Sequence, residues 1–240
     1  GIGAGTISNT GNLTAITQSV NQNSGFSITK YVGANSASGS ENLPHNLGAK
    51  PDWILIKSLH NTAGWCSWHK NLTTANNLRF DTDSGQFGHD VNGFINGATT
   101  GTTNIVLSGG GTSNSSVAGA GAAGYICYAW KAVAGVSHFG TYTYTTADRT
   151  ITGVGFPPRF LMIKRIDTTG SWTIQDSFRG LGTAGSNDNI TFLAETDGAE
   201  TTATVNNPGI TVNSDGWRIN SSASARHNAS GGTYIYMAFA

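Results

Sequence analysis

Charge is scarce in this 240-residue chain. Asp, Glu, Lys and Arg together make up 11%, and 13 basic residues balance 13 acidic ones for a formal net charge of zero. No cluster of Lys or Arg stands out, so the electrostatic footprint of a nucleic-acid binder is missing and no nucleic acid is expected as a partner. Long apolar runs are missing too. None approaches the roughly 18 residues of a membrane-spanning helix, and no membrane is expected among the partners. Cysteine occurs only twice, which excludes a disulfide framework. Cys66 and Cys127 lie in the strand-like runs Trp65-Cys66-Ser67-Trp68 and Tyr125-Ile126-Cys127-Tyr128, and are read as buried free thiols. The start, Gly1-Ile2-Gly3-Ala4-Gly5, has no basic stretch and is not read as a signal peptide. A first residue other than methionine fits a processed chain or a piece of a longer one.

What is present is glycine, 33 residues of it, in a background of Ser, Thr and Asn. That mixture disfavours long helices. Glycine costs backbone entropy there, and the short polar side chains bond to nearby backbone instead. With 38% hydrophobic residues, including 6 Trp, 7 Tyr and 10 Phe, the chain is too apolar for a disordered one. Short strands joined by polar loops satisfy both constraints.

The sequence also repeats itself. Pro51-Asp52-Trp53-Ile54-Leu55-Ile56-Lys57 lines up with Pro158-Arg159-Phe160-Leu161-Met162-Ile163-Lys164, 107 positions on. Leu47-Gly48 and Gly64-Trp65 find Val154-Gly155 and Ser171-Trp172 at the same offset. Tyr125–Trp130 restates itself as Tyr234–Phe239, and Tyr31 as Tyr142. A period this long is tandem duplication rather than a solenoid. The expected organisation is an N-terminal arm or linker over residues 1–24, able to pair with a neighbouring chain, then one repeat over 25–133 and a second over 134–240.

Within each repeat the Pro-bounded run is apolar on both faces, as in a central strand. Proline at its start fits, because a missing N–H is least harmful there. Trp65–His69 and Ser171–Asp176 follow after short turns and complete hairpins. Further strands are expected at Leu78–Phe80, Ile190–Ala194, Asn104–Leu107 and Gly216–Ile219, and the aromatic run closes each unit. Asn213-Ser214-Asp215-Gly216 and Val91-Asn92-Gly93-Phe94 supply turn chemistry, and Ser108–Gly124 reads as a surface loop. The predicted fold is all-β: two tandem β-sandwich domains, jelly-roll-like, with an extended N-terminal arm. One larger sandwich sharing strands between the repeats is the alternative.

Candidate chemistry is thin. Asp81-Thr82-Asp83-Ser84-Gly85 resembles the start of a calcium loop, but Gly falls fifth instead of sixth and Asn92 stands where a bidentate Glu belongs, so a polar hairpin tip is the better reading and no metal is expected. His69, His89 and Asp90 could be sketched as an acid–base group. The second repeat has Asp176 in place of His69, and a structural histidine is the preferred reading. No carboxylate pair, nucleophile elbow, phosphate loop or zinc spacing stands out, so neither a catalytic residue nor a cofactor is assigned. Among the tryptophans, Trp65 and Trp172 recur in both repeats and read as core, whereas Trp68 is unmatched and reads as exposed. With His60, Asn61 and Asn71 it forms the candidate lining of a glycan site, since aromatic rings stack on sugars.

Gly25-Phe26-Ser27-Ile28, Tyr31, Gly33, His45-Asn46-Leu47-Gly48, Pro51, Ile54–Lys57, Trp65 and His69-Lys70, in that order, resemble a tandem β-domain family of virion proteins from phages of aquatic bacteria, cyanophages included. Gly231–Ala240 is similar to that family's closing strand. Asn46 departs from the glycine of a His-Gly-Leu-Gly turn, and Thr152-Gly153-Val154-Gly155 stands there in the second repeat. The resemblance implies a non-enzymatic virion structural protein on the particle exterior: a tail fibre, a spike or a decoration. It would be bound to other virion proteins, homo-oligomeric with a trimer favoured, and in contact with the host surface. A carbohydrate-binding adhesin recognising host envelope glycans is the competing expectation.

Overall fold

The computed structural model describes residues 13–33, 40–60, 62–73, 76–88, 95–108, 124–182, 191–200, 209–221, 223 and 225–240. Its architecture is all-β, built of antiparallel sheets. Two compact units divide the chain: Gly1–Phe80 with Gln86–Ala132, and Asp81–Gly85 with Val133–Ala240. The first contains β1 (Thr14–Asn21), β2 (Phe26–Val32), β3 (Ser40–Pro44), β4 (Trp53–Ser58), β5 (Cys66–His69), β6 (Asn76–Arg79), β7 (Phe87–Gly88), β8 (Asn104–Ser108) and β9 (Tyr125–Trp130). The second contains β10 (Ser137–Thr143), β11 (Arg149–Ile151), β12 (Phe160–Arg165), β13 (Trp172–Asp176), β14 (Phe192–Leu193), β15 (Ile210–Asn213), β16 (Gly216–Ile219), the short helix α1 (Ala225–Asn228) and β17 (Thr233–Phe239).

The same strand order occurs in both units. The larger sheets are β1-β2-β9-β4-β5-β6-β7 and β10-β17-β12-β13-β14, which share the order β2-β9-β4-β5-β6 and its counterpart, and the smaller ones are β3-β8 and β11-β16-β15, which share the pairing of β3 with β8 and of β11 with β16. The Pro-bounded strands β4 and β12 are central, each hydrogen-bonded on one side to the closing strand and on the other to its hairpin partner. Among the described residues no sheet takes strands from both halves of the sequence. The closing strand β9 alternates strictly, with Tyr125, Cys127 and Ala129 buried and Ile126, Tyr128 and Trp130 half-buried, the period of a pleated strand. Ile56 of β4 lies opposite both Cys66 and Cys127, so the two thiols sit two strands apart. That is about 10 Å, too far for a bridge. Both are free and buried, and burial pushes the Cys127 thiol pKa up.

The N-terminal segment departs from its reading as an arm reaching for a neighbouring chain. Thr14–Asn21 pairs with β2 of its own sheet. Its glutamines fix it to the turn after β3: Gln18 Nε2 donates to the Pro44 carbonyl (2.7 Å), Asn46 Nδ2 donates to Gln18 Oε1 (2.6 Å), and Gln22 Nε2 donates to the Asn46 carbonyl (2.8 Å). These bonds compensate for the strand's poor hydrophobic alternation.

That turn explains the Asn46 departure. Asn46 has φ 53° and its counterpart Gly153 has φ 78°. Asparagine is one of the few side chains that tolerates the left-handed region. His45 supports the turn by accepting the Leu47 N–H at Nδ1 (3.2 Å), which leaves Nε2 to donate to the Gly101 carbonyl (3.2 Å). Asn46→Ala is expected to lower the unfolding free energy by about 1–2 kcal/mol. Asn46→Gly, losing only the Gln18 bond, is expected to cost less. Urea denaturation of the two variants checks the order.

In the second unit both sheets meet across one hydrophobic cluster, an arrangement consistent with a β-sandwich. Tyr142, Leu161, Ile163, Tyr234 and Tyr236 come from the larger sheet, and Ile151, Ile210, Trp217 and Ile219 from the smaller. Helix α1 is held against it by hydroxyls: Tyr142 donates to the His227 carbonyl (2.9 Å) and Tyr234 to the Ala225 carbonyl (3.0 Å). The His227 side chain is buried, and neither ring nitrogen has a partner. Burial, with Arg226 beside it, pushes its pKa down to about 4. Between that value and the ordinary 6.5, the unfolded chain binds a proton that the folded chain excludes. Stability therefore falls as pH drops through this window, by about 3 kcal/mol in all. His227→Gln is expected to remove this part of the acid sensitivity, visible as a smaller loss of urea midpoint between pH 7 and pH 4 than in the parent chain.

Candidate functional site

Of the four residues predicted to line a glycan site, the three that are described are placed apart or buried. His60 follows β4 half-buried, its ring edge-on to Tyr125 at 5.1 Å and its Nδ1 within 3.2 Å of Ser58 Oγ. Asn71 is exposed beyond the end of β5, its N–H donated to His69 Nδ1 (3.2 Å). Because β4 and β5 are antiparallel, His60 and Asn71 stand at opposite ends of the hairpin. Asn61 lies outside the described residues.

Trp68, expected to be exposed, is only 5% exposed. It pairs with the fully buried Ile54 and so shares its inward face. Lys50 Nζ lies 5.3 Å over its ring, and a Cβ at Gly97 would fall 1.8 Å from Nε1. The sequence carries no sign of this, because all four residues of β5 are buried and parity does not separate them.

His69 is fully buried, and His89, Asp90 and Asn92 lie outside the described residues. The Asp81–Gly85 segment serves through its backbone, with the Asp83 carbonyl accepting from Gly170 N (2.7 Å) and Lys164 Nζ (3.0 Å). Among the described residues no group of three or more His, Cys, Asp or Glu could hold a metal ion.

The second unit does offer a cleft. Strand β13 ends at Asp176, whose Oδ1 accepts the N–H groups of Phe178 (3.1 Å) and Arg179 (3.0 Å). Its other oxygen pairs with the Arg179 guanidinium, which lies 4.1 Å over the Phe192 ring. These contacts fix a 3-10 turn over Ser177–Arg179, closed by Gly180 at φ 93°. Ser177 N donates to the Arg159 carbonyl (2.8 Å), so the turn stands beside the start of β12. Phe178, at its tip, is 99% exposed.

Next to it opens a cleft of about 560 Å³ with Phe156, Leu181 and Val212 as its apolar part and Arg159, Ser177 and Ser214 at its polar edge. The far edge is also fixed. Asp215, in the turn between β15 and β16, accepts from Gly153 N (2.9 Å) and Gly155 N (2.7 Å), and these bonds hold its carboxyl below the usual range.

Comparison of the two units shows what is particular here. Asp176 and His69 occupy equivalent positions and each accepts the N–H two residues on. The residues carried at that end differ. Phe178 corresponds to Asn71 and Arg159 to Asp52. In the first unit Asp52 is engaged by Lys70 Nζ (2.8 Å) and by Ala132 N (2.5 Å). In the second, no ion pair among the described residues involves Arg159. An unneutralised guanidinium, an exposed ring and an apolar floor are means of binding. Sequence reasoning missed both residues, because an aromatic just after a strand ordinarily signals core.

The profile of a family described as "Domain of unknown function (DUF7483)" matches residues 2–240. Comparison with curated proteins and with solved structures finds no match.

Proposed function

We propose that this chain, which belongs to the DUF7483 family, is a non-enzymatic structural protein of a phage particle's exterior. It would be a tail fibre, spike or decoration built of two tandem β-sandwich units of jelly-roll type. The observation that carries this reading is the common strand order of the two units. The repeated features are strand cores and turn supports, which is what a duplicated building block preserves. A Gly/Ser/Thr/Asn-rich chain of zero formal net charge and without disulfides is compatible with such a rigid extracellular module, and the resemblance in motif order to virion proteins of aquatic phages points the same way. Its partners would be other virion proteins and further copies of itself, most simply in a trimer.

A second reading, a carbohydrate-binding adhesin that recognises host envelope glycans, is favoured by the Phe178 and Arg159 end of the second unit. The two readings coincide in a receptor-contacting fibre.

The decisive experiment is proteomics and immunogold microscopy of purified particles whose genome encodes the chain. External label at a copy number that is a multiple of three is expected. Absence from purified particles, or a strictly internal position, would overturn the reading. Sedimentation of the full chain is expected to give a trimer, and a clean monomer would count against assembly.

A further inference from the structure

We infer that the end of the second unit formed by Arg159, Phe178 and the adjoining cleft is a subsite for an acidic saccharide. This rests on the host-glycan reading above and gives it a location and a ligand class. Sugar rings carry an apolar face of C–H groups that packs on an aromatic ring, and a solvent-exposed phenylalanine held by a capped turn is such a platform. Exposing a phenylalanine at 99% while fixing the turn beneath it with three interactions from Asp176 serves no internal packing.

Arg159 selects the charge. The side-chain carboxylates on the two turns that flank the cleft are occupied: Asp176 by Arg179 and two amides, Asp215 by two glycine amides. The Arg159 guanidinium is left to take a carboxylate from outside, in the bidentate geometry that favours Arg. The serine hydroxyls of Ser177 and Ser214 at the cleft edge match the hydroxyls of a sugar, and the apolar floor takes a ring substituent. The equivalent end of the first unit differs at both residues. There Asp52 closes on Lys70 and Asn71 replaces the aromatic, so one site per chain is expected.

The test uses the full chain and two probes, a uronic-acid oligosaccharide and its neutral counterpart of the same linkage, titrated by isothermal calorimetry and saturation-transfer NMR. The acidic probe is expected to bind at one site per chain, with affinity falling as salt rises. Arg159→Gln is expected to weaken it about tenfold, the size of one charge-assisted contact, and to leave the neutral probe unchanged. Phe178→Ala is expected to weaken both probes. Since Phe178 is exposed, that variant should unfold at the parent's urea midpoint, which separates lost binding from lost fold. Equal binding of both probes, untouched by Arg159→Gln, would overturn the acidic class. Binding unaffected by Phe178→Ala would overturn the location while leaving the glycan reading standing. A parent chain that binds neither these probes nor any member of a host-envelope glycan panel would overturn both. Capture of acidic peptides but no saccharide would overturn the ligand class.

Discussion

Trp217→Ala is expected to lower the unfolding free energy by about 3–5 kcal/mol, the cost of emptying a large buried site. Trp217 is fully buried on β16, its ring set edge-on against Tyr236 of β17 at 4.5 Å with an interplanar angle of 89°. It therefore joins the smaller sheet of the second unit to the larger one through the shared core. Collapse around the vacancy is restricted, because a Cβ at the next residue, Gly216, would already lie 2.1 Å from the Ile151 carbonyl oxygen. Trp217→Phe separates volume from polarity. The indole Nε1 is buried without a partner, so the Phe variant removes an unsatisfied donor worth about 1–3 kcal/mol as it gives up part of the packing. It is expected to cost much less than Ala. Urea midpoints of the three proteins decide it. A Phe variant as unstable as the Ala variant would mean that the edge-on contact depends on the indole itself.

Lys164→Met is the second large effect, about 3–5 kcal/mol. The lysine side chain is fully buried on β12, and its Nζ donates to the carbonyls of Gly170 (2.6 Å), Arg165 (2.8 Å) and Asp83 (3.0 Å). Methionine keeps an unbranched apolar side chain but removes the Nζ that lies 5.8 Å over the Trp172 ring and leaves three carbonyls without that donor. Lys57, its counterpart, bonds the carbonyl of Ala63, also six residues on. The lysine that ends each Pro-bounded strand thus secures the hairpin turn that follows. Burial pushes the Lys164 pKa down to about 8. Between that value and the ordinary 10.5, the unfolded chain holds a proton that the folded chain gives up, so this residue's contribution to stability rises with pH. The deficit of Lys164→Met relative to the parent is therefore expected to be larger at pH 9.5 than at pH 7, as read by denaturation at the two pH values.

Several elements could be read directly from residues. The central strands β4 and β12 follow from apolar runs bounded by proline, β9 and β17 from their aromatic sequences, and β16 from a turn sequence with Gly216 at its end. Others could not. Thr14–Asn21 has too few apolar residues for a strand signal, and it pairs because the edge of β2 is there and Gln18 and Gln22 hold it to the turn at Asn46. Helix α1 spans four residues, shorter than any periodicity can reveal, and exists because tyrosine hydroxyls and Asn228 hold it. Asp81–Gly85 reads as a hairpin tip of the first repeat, yet belongs with the second unit because its backbone meets Gly170 and Lys164.

The sequence by itself determined the secondary-structure class, the 107-residue period, the central strands and the positions needing glycine or asparagine. All of these depend on local backbone energetics and on composition. Only the tertiary structure decided which side of a strand is covered and which charges are already neutralised. Trp68 and Phe178 show why. Strand alternation distinguishes two faces without saying which one meets another layer, and a capped turn fixes a backbone without saying what lies in front of it. Trp68 turned inward because it pairs with Ile54 over Gly97. Phe178 turned outward because Asp176 ties the turn down, and the residue is 99% exposed. The charge beside it, Arg159, has no ion-pair partner among the described residues: Asp176 is taken by Arg179 three residues on, and Asp215 by glycine amides that are distant in sequence and close only in the fold.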